Sequence, residues 1–132
     1  MTVKEKMPEK KHVLIIEDDA FLVKIVTIHL EKEGFVVTNV SNAEDARVLF
    51  KKEPPHVVLL DLMLPGVSGF ELLEEMKKHE TWKNTHVVIL SNLSKDSDIE
   101  LGKKLGAHEY IVKAKTKIAD IAGIVASVAS QE

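Results

Sequence analysis

The 132-residue chain contains no cysteine, one tryptophan, one tyrosine and four phenylalanines. Without cysteine there is neither a disulfide framework nor a thiolate metal site. No apolar stretch approaches the ~20 residues that a bilayer-spanning helix needs. The first eleven residues, MTVKEKMPEKK, lack the apolar core of a secretory signal. Nor is there an excess of positive charge. The 18 lysines and arginines face 21 aspartates and glutamates, for a net charge of −3, and nucleic-acid binding calls for a basic face. These absences predict a cytoplasmic protein with no membrane and no nucleic-acid partner. What remains is ordinary for a globular domain: 45% hydrophobic and 30% charged, in a chain long enough for one real core.

Residues 1–11 mix lysine and glutamate and bury nothing, so they read as a disordered tail, with a single domain over 12–132. From His12 onward an alternation begins. HVLII (12–16) is a β-branched apolar run of strand length. Over 19–32 the apolar residues Phe21, Leu22, Ile25 and Val26 recur at helical spacing. Asp18 or Asp19 can cap this helix, and Gly34 closes it. FVVTNV (35–40) is the next strand. Ser41 and Glu44 have the spacing of a capping box before a helix stopped by Pro54-Pro55. HVVLL (56–60) leads to a Pro65-Gly66 turn and a helix over about 69–79. HVVIL (86–90), a short helix ended by Gly106, YIV (110–112) and a helix over 116–130 complete the chain. Strand and helix thus alternate five times. Strands this uniformly apolar belong to a parallel sheet with helices on both faces. No output domain is expected directly after the last helix, in a stand-alone protein or a piece of a longer one.

The polar residues fall at the strand ends. Strand one runs into Glu17-Asp18-Asp19, strand three into Asp61, strand four into Ser91-Asn92 and strand five into Lys113. Asp61 stands out, because VVLLDLMLPG gives a charged group no polar company. A buried, unpaired carboxylate is costly. In an open parallel sheet the carboxyl ends of the strands line one edge, where ligands bind. Singly, each residue has a plain structural use: a helix cap, a loop serine, a solvated lysine. Together they place carboxylates, a hydroxyl and an ammonium on one rim. Clustered carboxylates repel one another, and a hard divalent cation such as Mg²⁺ or Mn²⁺ would offset that repulsion.

VLIIEDD, VVLLDLMLPGVSGFELL, VVILSNL and GAHEYIVK, collinear over about 12–130, resemble the receiver domain of two-component response regulators. The aspartate, Pro-Gly and glycine pattern at Asp61, Pro65, Gly66 and Gly69 is its most specific part. The resemblance implies a flavodoxin-like doubly wound α/β fold, with sheet order 2-1-3-4-5. It makes Asp61 the phosphoacceptor for a sensor histidine kinase or a phosphotransfer protein. Glu17, Asp18 and the backbone carbonyl of Met63 would hold Mg²⁺ beside Asp61. Lys113 would pair with Asp61 and then with the phosphoryl group. Ser91 would bond that group, and Tyr110 would be the aromatic switch. The output would be the surface of helix four, strand five and helix five.

The chain also departs from the family. Ala114 follows Lys113 where the family usually has proline, often after a cis bond, so the loop geometry there is open. Asn92 replaces a smaller residue and narrows access to the site. Met63 and Leu93 are apolar and cannot orient a hydrolytic water, which predicts slow self-dephosphorylation. Met63 also stands where a phosphatase of the haloacid-dehalogenase type needs its second acid, which argues against a true hydrolase. EDDAF, which would repel a phosphate, argues against a flavodoxin-like cofactor site. A degenerate receiver that only docks partners is the remaining alternative, but every required side chain is present.

In the last helix Ile118, Ile121, Val125 and Val128, with Ile124 at the edge, form an apolar arc expected to pack on the sheet. The other side carries Ala119, Gly123, Ala126, Ser127 and Ser130. The plain reading is a short solvated face built from small residues; the other is that so smooth a face lets another helix approach closely and docks a downstream protein or a second copy.

Overall fold

The computed structural model describes residues 10–131, so the predicted tail lies outside them except for Lys10 and Lys11. Five parallel strands alternate with five helices: β1 (His12–Ile16), α1 (Ala20–Lys32), β2 (Val36–Val40), α2 (Ala43–Lys52), β3 (Val57–Leu60), α3 (Gly69–Lys78), β4 (His86–Ser91), α4 (Asp96–Lys104), β5 (Glu109–Val112) and α5 (Ile118–Ala129). The sheet order is β2-β1-β3-β4-β5, as the family resemblance implies. Among the described residues, no helix is long and apolar enough to cross a membrane.

Strand residues alternate between two cores. Val13, Ile15, Val57, Leu59, Val88 and Leu90 meet α1 and α5 on one face. Leu14, Ile16, Val58, Leu60, Val87 and Ile89 meet α2 and α3 on the other. The expectation of strands apolar on both faces holds for β1, β3 and β4. It fails for β2, an edge strand where Val36 and Asn39 are exposed.

The first helix is capped by Asp19, whose Oδ1 accepts the Leu22 N–H. The predicted capping box at Ser41 and Glu44 is displaced by one residue. Asn42 holds the extended cap conformation, and its Oδ1 accepts the Asp45 N–H at 2.8 Å. β2 runs to Val40, so the turn consumes Ser41 and the cap falls to the next polar side chain. The last helix starts at Ile118, two residues later than predicted, with no side-chain cap. Its inward arc is Ile121, Ala122, Val125, Val128 and Ala129, with Ile118 and Ile124 only partly buried. On the opposite side Ala119, Gly123, Ser127 and Ser130 are exposed, while Ala126 is half-buried. Among the described residues every peptide bond is trans, including Lys113–Ala114. Residues Lys113–Lys115 form a single 3-10 turn. Glycine at position 66 answers a backbone need, since its φ of 81° is one that side chains resist.

Candidate functional site at the carboxyl edge of the sheet

Parallel pairing carries three strand ends to one rim. Register aligns Ile16 with Leu60 and Leu60 with Ile89, so Glu17 and Asp61 follow directly where β1 and β3 run out. The ladder continues one bond further, as the Asp61 N–H donates to Ile16 O at 3.0 Å. Asp61 is thus fixed at its backbone while its carboxylate meets the surface. It is 5% exposed and Glu17 is 2% exposed, whereas Asp18 is open to solvent. Carboxylate oxygens of these three residues lie within 4.8 Å of one another.

Local donors hold the two buried carboxylates. The Asp18 and Asp19 N–H groups both donate to Glu17 Oε2, each at 3.1 Å. The Met63 N–H donates to Asp61 Oδ1 at 3.0 Å. Lys113 reaches in from the end of β5, 2.6 Å from Glu17 Oε1 and 3.6 Å from Asp61 Oδ2. It therefore sits nearer to Glu17 than to Asp61, the partner that the resemblance implied. Glu17 Oε1 is thus buried with the Lys113 ammonium as its ion-pair partner.

The electrostatics follow from burial. Desolvation pushes the Glu17 carboxyl up from its ordinary value, Lys113 and the Asp19 N–H oppose this, and the Asp61 charge adds to it. Burial would lower the Lys113 ammonium, but Glu17 and Asp61 outweigh it and hold the group above its ordinary value, firmly charged. The donor set is all oxygen, strongly anionic and open on the Asp18 side. It fits a hard divalent cation. Glu17, Asp18 and Asp61 are the side chains that could hold it.

On the other side of the rim, Ser91 is fully buried at the end of β4. Its Oγ accepts the Leu93 N–H at 3.2 Å, and the half-buried Tyr110 donates its hydroxyl to Leu93 O at 2.7 Å. Both side chains hold the backbone of one loop residue, a link that residue types alone do not reveal. Gly102 of α4 makes room for this arrangement. A Cβ there would lie 2.7 Å from Ile89 Cδ1 and 3.0 Å from the Tyr110 ring. Met63, at 60% exposure, stands at the mouth of the site.

Sequence reasoning missed Asn39. Its side-chain NH₂ donates to Ile15 O at 3.0 Å and to Glu17 O at 3.2 Å. The only signal was a polar residue in a strand, which carries no information on its own.

Residues 13–125 match the model of the response regulator receiver domain family. The probable transcriptional regulator ycf27 of Porphyridium aerugineum is 35% identical over 105 residues, 80% of this chain and 42% of that protein. The transcriptional regulatory protein CseB of Streptomyces coelicolor is 33% identical over 107 residues, 81% of this chain and 44% of that protein. The chain therefore spans less than half the length of these curated relatives. The BeF3-activated receiver domain of DrrB superposes with a TM-score of 0.80 at 30% identity, over 93% of this chain and all of that one. With that family model matched over most of the chain and the sheet in the order β2-β1-β3-β4-β5, the chain belongs to the response regulator receiver domain family.

Proposed function

We propose that this chain is a phosphorylation-dependent signalling switch in which Asp61 accepts a phosphoryl group from a sensor histidine kinase or a phosphotransfer protein. The observation that carries the reading is the pairing of a buried strand-end carboxylate with two further acids and one fixed cation. A carboxylate oxygen of Asp61 attacks phosphorus, the phosphorus–nitrogen bond to the donor imidazole breaks, and an acyl phosphate remains. The protein's part in such a transfer is to position groups and neutralise charge. Glu17, Asp18 and Asp61, with the Met63 carbonyl, are assigned to Mg²⁺, with Mn²⁺ an alternative. Bound there, the cation would neutralise charge on the transferring phosphoryl oxygens.

Lys113 stays charged and moves its attraction from Glu17 toward a phosphoryl oxygen. Ser91 gives up the Leu93 N–H and donates its own hydroxyl hydrogen to the phosphoryl group. That loosens one of the two bonds on Leu93, and Tyr110 holds the other. The surface of α4, β5 and α5 then differs between the two states and regulates a downstream partner. The exposed small residues of α5 suit close approach by a partner helix or by α5 of a second copy. Self-dephosphorylation is slow, because neither Met63 nor Leu93 can orient a water.

The test is intact-mass spectrometry after incubation with acetyl phosphate and Mg²⁺. Wild type should gain one phosphoryl group and Asp61→Asn none, while Asp18→Ala should lose most of the metal dependence. Equal phosphorylation of Asp61→Asn would sink the assignment.

A further inference from the structure

Asn39 is the penultimate residue of edge strand β2 and is itself exposed. Its Nδ2 lies 3.0 Å from Ile15 O, 3.2 Å from Glu17 O and 3.0 Å from Val40 O. Only the NH₂ end of an amide can face three carbonyl oxygens, so the orientation of the side chain is determined by chemistry. Two hydrogens serve three acceptors, so at least one bond is shared.

The reason such a group is needed lies in the end of the ladder. Pairing between β1 and β2 stops at Ile16 and Val40. The Glu17 N–H still donates to Val40 O at 3.0 Å. The Glu17 carbonyl lies one step further on, where Ser41 turns the chain toward the Asn42 cap. Among the described residues, no backbone N–H donates to that carbonyl. Asn39 supplies the missing donor from one strand over. Glu17 is thereby held at its N–H by Val40 and at its C=O by Asn39. With the backbone fixed at both ends, its carboxylate is aimed to take the Asp18 and Asp19 N–H groups and to face Lys113.

Resting on the metal reading above, we infer that Asn39 is a positioning residue for the divalent-cation site. It acts through the Glu17 backbone and touches neither cation nor phosphoryl group. A polar residue of this type is disfavoured in a strand, so its place here costs strand propensity and gives the acidic turn a fixed geometry. The competing interpretation is that Asn39 merely stabilises an edge.

Mn²⁺ binding to the full chain, followed by electron paramagnetic resonance well below the melting temperature, separates the two. Asn39→Ala should weaken binding about tenfold, the low end for partners that orient metal ligands. Asn39→Thr restores strand propensity and keeps the chain folded, but offers one donor hydrogen on a shorter arm. It should bind Mn²⁺ almost as weakly as Asn39→Ala while melting at or above it. Binding by both variants within twofold of wild type would overturn the inference. Asp18→Ala distinguishes the deeper failure. If it too binds normally, the cation site itself is wrong. If it loses Mn²⁺ while both Asn39 variants keep it, only the positioning role is wrong.

Discussion

Lys113 and Glu17 approach to 2.6 Å across the carboxyl edge of the sheet, closer than Lys113 comes to Asp61. The ammonium therefore neutralises the deepest carboxylate of the cluster and leaves Asp61 the more available. Removing the cation strands two buried carboxylates beside each other. Loss of one partner from a buried pair costs ~3–5 kcal/mol. The Lys113 side chain is 20% exposed, so Lys113→Met should destabilise by about 2–3 kcal/mol in urea unfolding. Added Mg²⁺ should restore more stability to this variant than to wild type. Equal stability without Mg²⁺ would show that the pair contributes nothing.

Gly69 opens α3 directly beneath the loop that follows Asp61, and its N–H donates to Leu62 O at 2.9 Å. A Cβ there would lie 2.5 Å from Leu62 Cα and 2.6 Å from Asp61 O. Both are backbone atoms and cannot swing aside. Gly69→Ala should cost ~1–3 kcal/mol as overpacking does. It should also slow phosphorylation by acetyl phosphate, because relief of the clash moves the Asp61 backbone. A variant with wild-type melting and wild-type rate would contradict the close approach.

Met63 stands at the mouth of the site with its N–H committed to Asp61. An amide at this position could orient a water in line with the phosphorus–oxygen bond. Met63→Asn is expected to shorten the phosphorylated lifetime severalfold, followed by intact-mass spectrometry after removal of the phosphodonor. A lifetime equal to or longer than that of wild type would overturn the proposal that Met63 slows hydrolysis.

The opposite edge of the sheet titrates. His12 opens β1 and His108 precedes β5, and the pKa values of both are lowered, by burial first. Glu53 partly opposes the shift at His12, while His56 adds to it; at His108 the further causes are Lys77 and His86. Their bonds agree: His108 Nδ1 accepts the Val87 N–H at 3.2 Å, which a protonated nitrogen could not do. Below the ordinary histidine value of ~6.5 the unfolded chain takes up protons that the folded chain refuses. Stability should therefore fall as the pH drops from about 7.5 through the range below 6.5. The melting temperature of His108→Asn should fall less over that range than that of wild type. Parallel curves would exclude His108 as a contributor.

Much of this was legible in the residues, because the informative signals are local. Continuous β-branched runs gave β1, β3 and β4. The polar residue after each run gave the rim, since a parallel sheet delivers every strand end to the same edge. What could not be seen depends on distances between segments. The closer approach of Lys113 to Glu17 than to Asp61 is a distance between separate segments, β5's following turn and the end of β1. The shared hold of Ser91 and Tyr110 on Leu93 requires β4 and β5 to be paired. Asn39 is a loop-like residue in a strand until Glu17 is known to lack a donor. The shift of the cap from Ser41 to Asn42 turns on a one-residue strand end, which propensity does not resolve.

The helix most lightly fastened to this frame is α4. Its one buried residue is Gly102, and no side chain caps its start. Regions that bury little apolar surface open at little free-energy cost. Amide protons of α4 should exchange with solvent well before those of α1, which buries Leu22, Val26 and Leu30 and is capped by Asp19. If phosphorylation of Asp61 releases Leu93, the element just downstream is the one whose displacement disturbs the core least.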